Sequence, residues 1–320
     1  MPTIVTGGTN PQNEGNQISN NQSQQNPEIA QDSSLGSQPS AETNQYTSAS
    51  QIATPQIVNN TVPIVVFVGP PSSGKSMILV RLAKYLRKQG YTVKTDPTFL
   101  NTAKYQKDCE EFTDKLNTNV ALRGTVEFLL INVYKDGREV AKLLEAPGED
   151  FYTTDPGKIQ SGKNTRVEPY LSAIMTSENP KSYVLLLDLD SEISFRKDSY
   201  HRDSYSQRFL DDFYPNIDSK RDRIVLLYNK IDVTSFGTIH GCTDPNGAKA
   251  DAKLYYPQLF STMKVHILGG LLTSDNYVFK TFCTGKFSKM TKDNGEEYQT
   301  YNVAQDSYPQ ELWKEITRRW

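Results

Sequence analysis

The chain has 320 residues and a formal charge of −2, from 35 basic and 37 acidic side chains. A charge so close to zero excludes an overall basic field of the kind that attracts nucleic acid or an anionic membrane surface. The three cysteines, Cys109, Cys242 and Cys283, are far apart and have no C-x-x-C spacing, which favours free thiols in a reducing, cytoplasmic compartment.

Residues 1–60 differ in composition from the rest of the chain. They contain neither Lys nor Arg and are dominated by Asn, Gln, Ser and Thr, as in NQISNNQSQQNPE. Such a segment has too little apolar surface to offset its ordering entropy, so we expect a disordered tail. It lacks the basic region and apolar core of a secretory signal, and no run in the sequence has the length and apolarity of a membrane span. We therefore expect one folded domain at 61–320.

The first predicted strand of this domain is the short, wholly apolar run at 64–68, typical of a strand buried on both faces of a parallel sheet. From Gly74 the apolar period becomes that of a helix, which ends in basic residues and Gly90. Farther along, apolar runs at about 126–134 and 140–144 flank Asp136-Gly137, a strong signal for a two-residue hairpin.

Three more runs with strand character follow at 182–190, 223–232 and, more weakly, 276–285. Helix-length segments lie between and after them, among them 248–265. An antiparallel hairpin followed by strands that alternate with helices predicts an α/β fold. We expect a mostly parallel six-stranded sheet with one antiparallel edge hairpin and helices on both faces.

The loop after the first strand carries a phosphate-binding motif, because GPPSSGKS matches G-x-x-x-x-G-K-[ST] in full. The glycines let the backbone wrap around a phosphate, and the N-terminus of the following helix adds positive potential. Lys75 can reach the β- and γ-phosphates, and the Ser76 hydroxyl can ligate Mg²⁺. Pro70 and Pro71 lack N–H groups, so the amides that face the anion should follow them. The predicted nucleotide-contacting residues are Gly69, Ser72, Ser73, Gly74, Lys75 and Ser76.

A second motif, Asn229-Lys230-Ile231-Asp232, ends a later buried strand and bears on the choice of base. Guanine offers adjacent N1–H and N2–H₂ donors, which one carboxylate, Asp232, can accept together, and adenine has no such pair. The methylene stem of Lys230 can lie over the base, and Asn229 can tie this loop to the phosphate loop. A position at the carboxyl edge of a parallel strand favours a guanine site over an ordinary polar strand end.

With these motifs, the chain from its first strand onward resembles the small-GTPase-like, translation-factor-related class of P-loop GTPases. The resemblance rests on GPPSSGKS, EAPGE, NKID and, more weakly, TGK. It implies that Glu145, which stands where the family has Asp, holds Mg²⁺ through water, and that the amide of Gly148 senses the γ-phosphate. It also implies that Thr284, Gly285 and Lys286 form the loop that touches the guanine oxygen.

The same resemblance implies a switch threonine that ligates Mg²⁺ just before the hairpin. Thr125 fits this role best, with Thr118 and Thr98 as alternatives. Where small GTPases often have a water-orienting Gln, this chain has Glu149, which can accept a proton from the attacking water but adds negative charge beside an anionic centre. We therefore expect hydrolysis to be slow or to need a partner.

The sequence thus predicts a switch that binds GTP or GDP with Mg²⁺ and hydrolyses GTP, with Lys75, Gly148 and Glu149 as catalytic residues. A protein effector or activator is the expected partner besides the nucleotide, and nothing in the sequence indicates nucleic-acid binding. Two alternatives stay open. One is a scaffold that binds GTP without hydrolysing it, which the two glutamates near the γ-phosphate favour. The other is an ATP-using kinase or ATPase whose metal acid is Asp188 or Asp190.

Overall fold

The computed structural model describes residues 61–70, 72–99, 102–121, 129–148, 169–187, 199–267 and 271–318, and the elements below are numbered over these residues. The tail predicted at 1–60 lies outside them, so the division into tail and domain stays a prediction. The predictions made for Thr125, Glu149, Asp188 and Asp190 also fall outside the described residues.

The described strands form one large sheet and three two-stranded ribbons. In chain order they are β1 (Ile64–Val68), β2 (Thr92–Thr95), β3 (Leu129–Lys135), β4 (Arg138–Glu145), β5 (Lys181–Leu187), β6 (Arg223–Tyr228), β7 (Gly237–Thr238), β8 (Gly241–Cys242), β9 (Lys264–Ile267), β10 (Leu272–Asp275), β11 (Val278–Thr281), β12 (Gly285–Thr291) and β13 (Glu297–Val303). The described α-helices are α1 (Lys75–Lys88), α2 (Ala103–Lys115), α3 (Pro169–Thr176), α4 (Ser199–Arg208), α5 (Pro245–Tyr255), α6 (Pro257–Thr262) and α7 (Ser307–Thr317).

The large sheet has the strand order β11-β6-β5-β1-β4-β3-β2. Its pairs from β11 to β4 are parallel, and β3 runs antiparallel to both of its neighbours. Every residue of β1 and β5 is buried, so both faces of the sheet are covered, as in α/β folds whose crossovers place helices on each side. The predicted α/β class and mostly parallel sheet are confirmed.

The predicted edge hairpin is also present, but it is not the last pair of the sheet. Asp136 and Gly137 form its turn with φ angles of 51° and 78°, the left-handed pair that a two-residue hairpin requires. The sheet has one strand more than the six predicted, because β2 pairs antiparallel with β3 outside the hairpin. With four residues, of which only Val93 is buried, β2 carries no apolar alternation that could mark it in the sequence.

Two helical segments differ from expectation. The segment 248–265 has the length of one helix, but it contains the end of α5 and all of α6, separated at Tyr256 because Pro257 cannot continue a helix and is well suited to begin one. Helix α2 lies in a mostly polar stretch for which no helix is predicted, although Tyr105, Cys109 and Phe112 are buried along one face of it. It is capped by Thr102, whose hydroxyl accepts a hydrogen bond from the Tyr105 amide. No helix in the described ranges is both long and apolar enough to cross a membrane.

The ribbon of β12 and β13 stands between the last strand of the sheet and α7. Six of the seven residues of β12 are exposed. The other edge of the ribbon pairs with the chain just after α2: the Ala121 amide donates to the Gln299 carbonyl at 2.8 Å, and the Tyr301 amide donates to the Asn119 carbonyl at 3.0 Å. The ribbon is therefore attached along one strand and exposed along the other.

Candidate functional site

The predicted phosphate loop joins the end of β1 to the start of α1, at the carboxyl edge of the sheet. Ser72 and Gly74 have left-handed φ angles of 61° and 93°, and the Ser73 amide donates to the Pro70 carbonyl at 3.3 Å. Left-handed residues at alternating positions turn successive N–H groups toward one side of a loop and create a concave site for an anion. The geometry is that of a backbone cradle followed by a helix N-terminus.

Close approach explains both glycines of the motif. A Cβ atom at Gly69 would lie 2.7 Å from the Ser73 hydroxyl, and one at Gly74 would lie 2.9 Å from Nδ2 of Asn229. Real Cβ atoms do not come this close, so a side chain at either position would displace the side chain of Ser73 or of Asn229.

Lys75 lies within this loop and is 4% exposed. Its ammonium group donates to the carbonyl oxygens of Gly69 at 3.0 Å and Pro70 at 3.1 Å. These bonds hold a positive charge inside the cradle, where an anionic phosphate would be attracted to it.

Ser76, at the first turn of α1, faces the end of β4. Its hydroxyl donates a short hydrogen bond to Oε1 of Glu145, which is 1% exposed. Burial raises the pKa of Glu145 to about 7, although the nearby Lys75 cation and the bond from Ser76 act in the opposite direction. Within the described ranges, Oε2 of Glu145 has no hydrogen-bond partner.

A serine hydroxyl beside a buried carboxylate oxygen without a partner is a donor set that suits Mg²⁺, which prefers hard oxygen ligands and keeps several waters. The residues therefore fit the ion that the motif implies. Among the described residues, no group of three or more His, Cys, Asp and Glu side chains is placed to hold a metal.

The second predicted loop follows β6 and contacts the first. Asn229 is buried, and its Nδ2 donates to the Ser73 carbonyl at 2.9 Å, which is the contact between the two loops that the sequence predicts. Lys230 then takes a left-handed φ of 56°, and a short 3₁₀ turn at Ile231–Val233 leaves Asp232 half-buried at the surface.

The third predicted loop lies beside Asp232. The Phe282 amide donates to the Tyr228 carbonyl at 2.8 Å, and the Ile231 amide donates to the Phe282 carbonyl at 3.1 Å, so the two loops are interlocked. The next residue, Cys283, is buried with its thiol against the Asp232 carboxylate, and burial together with this neighbour raises the pKa of the thiol well above its usual value. Thr284 is buried as well.

The structure therefore brings together residues from distant parts of the chain: the phosphate loop, Glu145, the loop of Asn229 and the loop of Thr284. Gly285 begins β12, and Lys286 projects from it as an exposed side chain. Gly148 is buried at the end of the described segment that follows β4. Cys283 is not among the site residues predicted from the sequence, and only its place directly before the TGK motif could have suggested a role for it.

A parallel sheet with an antiparallel hairpin beside its central strands, a phosphate loop between β1 and α1, and NKID after β6 together define a P-loop GTPase-like fold. No protein-family model matches the chain, and no curated protein matches it.

Several solved structures are similar to it, and two of them are GTP-binding or GTPase-like by name. One is nucleolar GTP-binding protein 1 of Plasmodium falciparum, with 13% identity over 72% of this chain and 80% of that chain, and a TM-score of 0.34. The other is the GTPase-like domain of Ski7 from S. cerevisiae, bound to GTP, with 15% identity over 70% of this chain and 43% of that chain, and a TM-score of 0.34. Both similarities are remote.

Proposed function

We propose that this chain binds a guanine nucleotide at the carboxyl edge of its sheet. The observation that carries the proposal is the hydrogen bond from Asn229 to the Ser73 carbonyl, because it holds the loop of Asp232 beside the phosphate loop. A ligand with phosphates at one end and a purine at the other suits two loops joined in this way. Ligands of α/β proteins are commonly held at this edge of the sheet.

The phosphate end of the ligand would replace the loop carbonyls as the partner of Lys75. The ammonium group already lies inside the cradle, so little rearrangement is needed for it to pair with a β- or γ-phosphate. The backbone N–H groups of residues 72–76 and the N-terminus of α1 would bind the remaining phosphate oxygens.

The purine end would lie against Asp232, whose carboxylate accepts hydrogen bonds from N1–H and N2–H₂ of guanine. Lys230 would cover the base with its methylene groups, and the loop of Thr284, Gly285 and Lys286 would approach the base oxygen. The contact between Cys283 and Asp232 supports this arrangement, since it places the second and third loops side by side.

Mg²⁺ belongs to the proposal, with Ser76 as a direct ligand, Glu145 holding the ion through water and Thr125 as a further ligand. When bound, the ion neutralises charge on the phosphates. Oε2 of Glu145 is available to accept a hydrogen bond from a metal-bound water. Hydrolysis would be slow, with Gly148 and Glu149 near the γ-phosphate, and loss of that phosphate would act as the switch that a protein effector recognises.

A scaffold that holds GTP without hydrolysing it is the second candidate function. Its support is the direct bond between Ser76 and Glu145, together with a Glu145 pKa of about 7, since a carboxyl group that is partly protonated holds metal-bound water less well. Phosphate release measured in a single turnover separates the two functions. A rate above that without protein supports the enzyme, and an equal rate supports the scaffold.

The base assignment is tested by Asp232→Asn. We expect the variant to bind GTP about 100-fold more weakly, since a carboxylate that accepts two hydrogen bonds is replaced by an amide that clashes with one donor. Binding of XTP, which has a carbonyl oxygen in place of the exocyclic amine, should improve. Equilibrium titration with GTP, XTP and ATP measures both changes.

Asp293→Asn is the matched control, because Asp293 is an exposed acid in the turn between β12 and β13. It should bind all three nucleotides as the wild type does. Equal affinity of the wild type for GTP and ATP, or an Asp232→Asn variant with unchanged preference, would contradict the assignment of guanine as the base.

A further inference from the structure

The ribbon of β12 and β13 leaves from the third loop of the site and returns to it. Gly285 at its start is paired with Val303 at its end. One residue farther along, the Ala304 amide donates to the Thr284 carbonyl at 3.1 Å. The path of Thr284 is therefore fixed by the place where the chain comes back from the ribbon.

A buried arginine on α1, Arg81, forms a hydrogen bond to this returning segment. Nη2 of Arg81 donates to the Ala304 carbonyl at 2.8 Å and to Oδ1 of Asp306 at 2.6 Å, and the Arg81 side chain is only 3% exposed. A buried guanidinium group needs a partner of opposite charge, and Asp306 provides it. Bonds from Lys88 and Arg81 lower the pKa of Asp306, which keeps that partner charged.

Helix α1 begins at Lys75 in the phosphate loop, six residues before Arg81. At 1.5 Å per residue the two side chains are separated by about 9 Å along the helix axis. A continuous set of contacts thus runs from the helix that carries the phosphate cradle through Arg81 to Ala304 and Thr284. This set of contacts ends beside Asp232, the carboxylate that is proposed to bind the guanine base.

We propose that Arg81 is a positioning residue for purine recognition, which sets the loop of Thr284 and its neighbour Asp232 at the correct distance from the phosphate cradle. The inference rests on the proposed function, because it assigns Arg81 to the base end of that same site. Arg81 acts through the Ala304 carbonyl and does not itself contact the nucleotide.

The chain offers a matched control in Lys88, a second cation that bonds to Asp306. Lys88 donates to Oδ2 of the same carboxylate, but its side chain is 69% exposed. Lys88→Met removes one positive charge and one ion pair with Asp306, as Arg81→Met does, but leaves the bond between Arg81 and Ala304 intact.

The test compares equilibrium affinities for GTP and ITP. ITP lacks the exocyclic amine from which Asp232 would accept a hydrogen bond. A displaced loop loses the amine contact first, so Arg81→Met should reduce the ratio of the GTP and ITP affinities by about threefold or more. Lys88→Met should leave the ratio within about twofold of the wild type. Equal weakening of both nucleotides by Arg81→Met would show a general packing role and overturn the assignment.

Amide hydrogen exchange of the nucleotide-free protein provides a second readout that does not depend on binding. Arg81→Met should accelerate exchange at the Ala304 amide, which bonds to the Thr284 carbonyl, relative to Lys88→Met, and unchanged exchange would overturn the inference. Arg81→Lys keeps the charge and replaces Arg81→Met as the test variant if Arg81→Met does not fold. It should shift the ratio of the GTP and ITP affinities in the same direction.

A wild-type protein that binds neither nucleotide would reject the proposed function itself, whereas binding with an unaltered ratio in both Arg81 variants would reject the inference alone.

Discussion

Gly74 carries two constraints at once. Its φ of 93° is in the left-handed region, and a Cβ atom there would lie 2.9 Å from Nδ2 of Asn229. The motif alone predicts the need for glycine, because the loop must approach a phosphate closely. Asn229, more than 150 residues later in the chain, also contacts this loop, and the sequence suggests this contact only through the position of the NKID motif.

Gly74→Ala should lower the free energy of unfolding by about 1–2 kcal/mol through backbone strain and also abolish nucleotide binding. Gly137→Ala is the control, because Gly137 has a similar φ of 78° but no atom within 4 Å of the point that a Cβ atom would occupy. It should lose similar stability and bind nucleotide normally. Denaturant titration and GTP binding of both variants measure this, and normal binding by Gly74→Ala would contradict the account of the cradle.

Lys181 is a buried cation at the opposite, amino-terminal end of the sheet. It is fully buried, and its ammonium group donates to the carbonyls of Ser177 and Asn179. Burial lowers its pKa to about 8, from an ordinary value of 10.5, against the opposite effect of the nearby Asp222 carboxylate.

Because its folded pKa lies below its unfolded one, Lys181 binds fewer protons in the folded state between pH 8 and 10.5. Its contribution to the free energy of unfolding should therefore rise with pH across this window, by at most about 3 kcal/mol. The difference between the wild type and Lys181→Met, followed by denaturant titration, isolates this contribution from other groups. A difference that stays flat or falls with rising pH would contradict it.

The secondary structure shows which elements a sequence can predict. The hairpin of β3 and β4 is predictable because its turn requires left-handed residues and Asp136-Gly137 supplies them. The ribbon of β12 and β13 is not, since it buries little and its exposed polar side chains resemble those of a loop. The break between α5 and α6 is readable at Pro257, but the apolar pattern continues past it.

The attachment of this ribbon can be tested by a disulfide. Val120 and Thr300 are bridged, and the bonds on either side of them make this a non-hydrogen-bonded pair, in which the Cα atoms lie about 4.5 Å apart. The variant with Val120→Cys and Thr300→Cys should form a disulfide on mild oxidation and gain about 3 kcal/mol of stability. Mass spectrometry of unreduced peptides identifies the bond.

The pair Val120→Cys and Gln299→Cys is the control for this disulfide. Its second cysteine is shifted by one residue, so its side chain points to the other face of the ribbon. This variant should remain reduced under the same conditions. Equal oxidation of the two variants would show that the pairing does not have the described register.

The complete site depends on the sheet as a whole. The strands β1, β6 and β11 are parallel, so the loops that follow them lie at one edge although they are far apart in sequence. Motifs and strand patterns are sufficient to predict this meeting of loops. They are not sufficient to predict the bond between Arg81 and Ala304, which joins residues 223 positions apart and leaves no local pattern.

A crystal structure of the protein with GDP and Mg²⁺ tests the guanine-nucleotide site most directly. We expect the β-phosphate within the loop at 69–76 and both N1 and the exocyclic amine of guanine within hydrogen-bond distance of the Asp232 carboxylate. A purine turned away from Asp232, or a nucleotide bound elsewhere while this loop stays empty, would contradict the account.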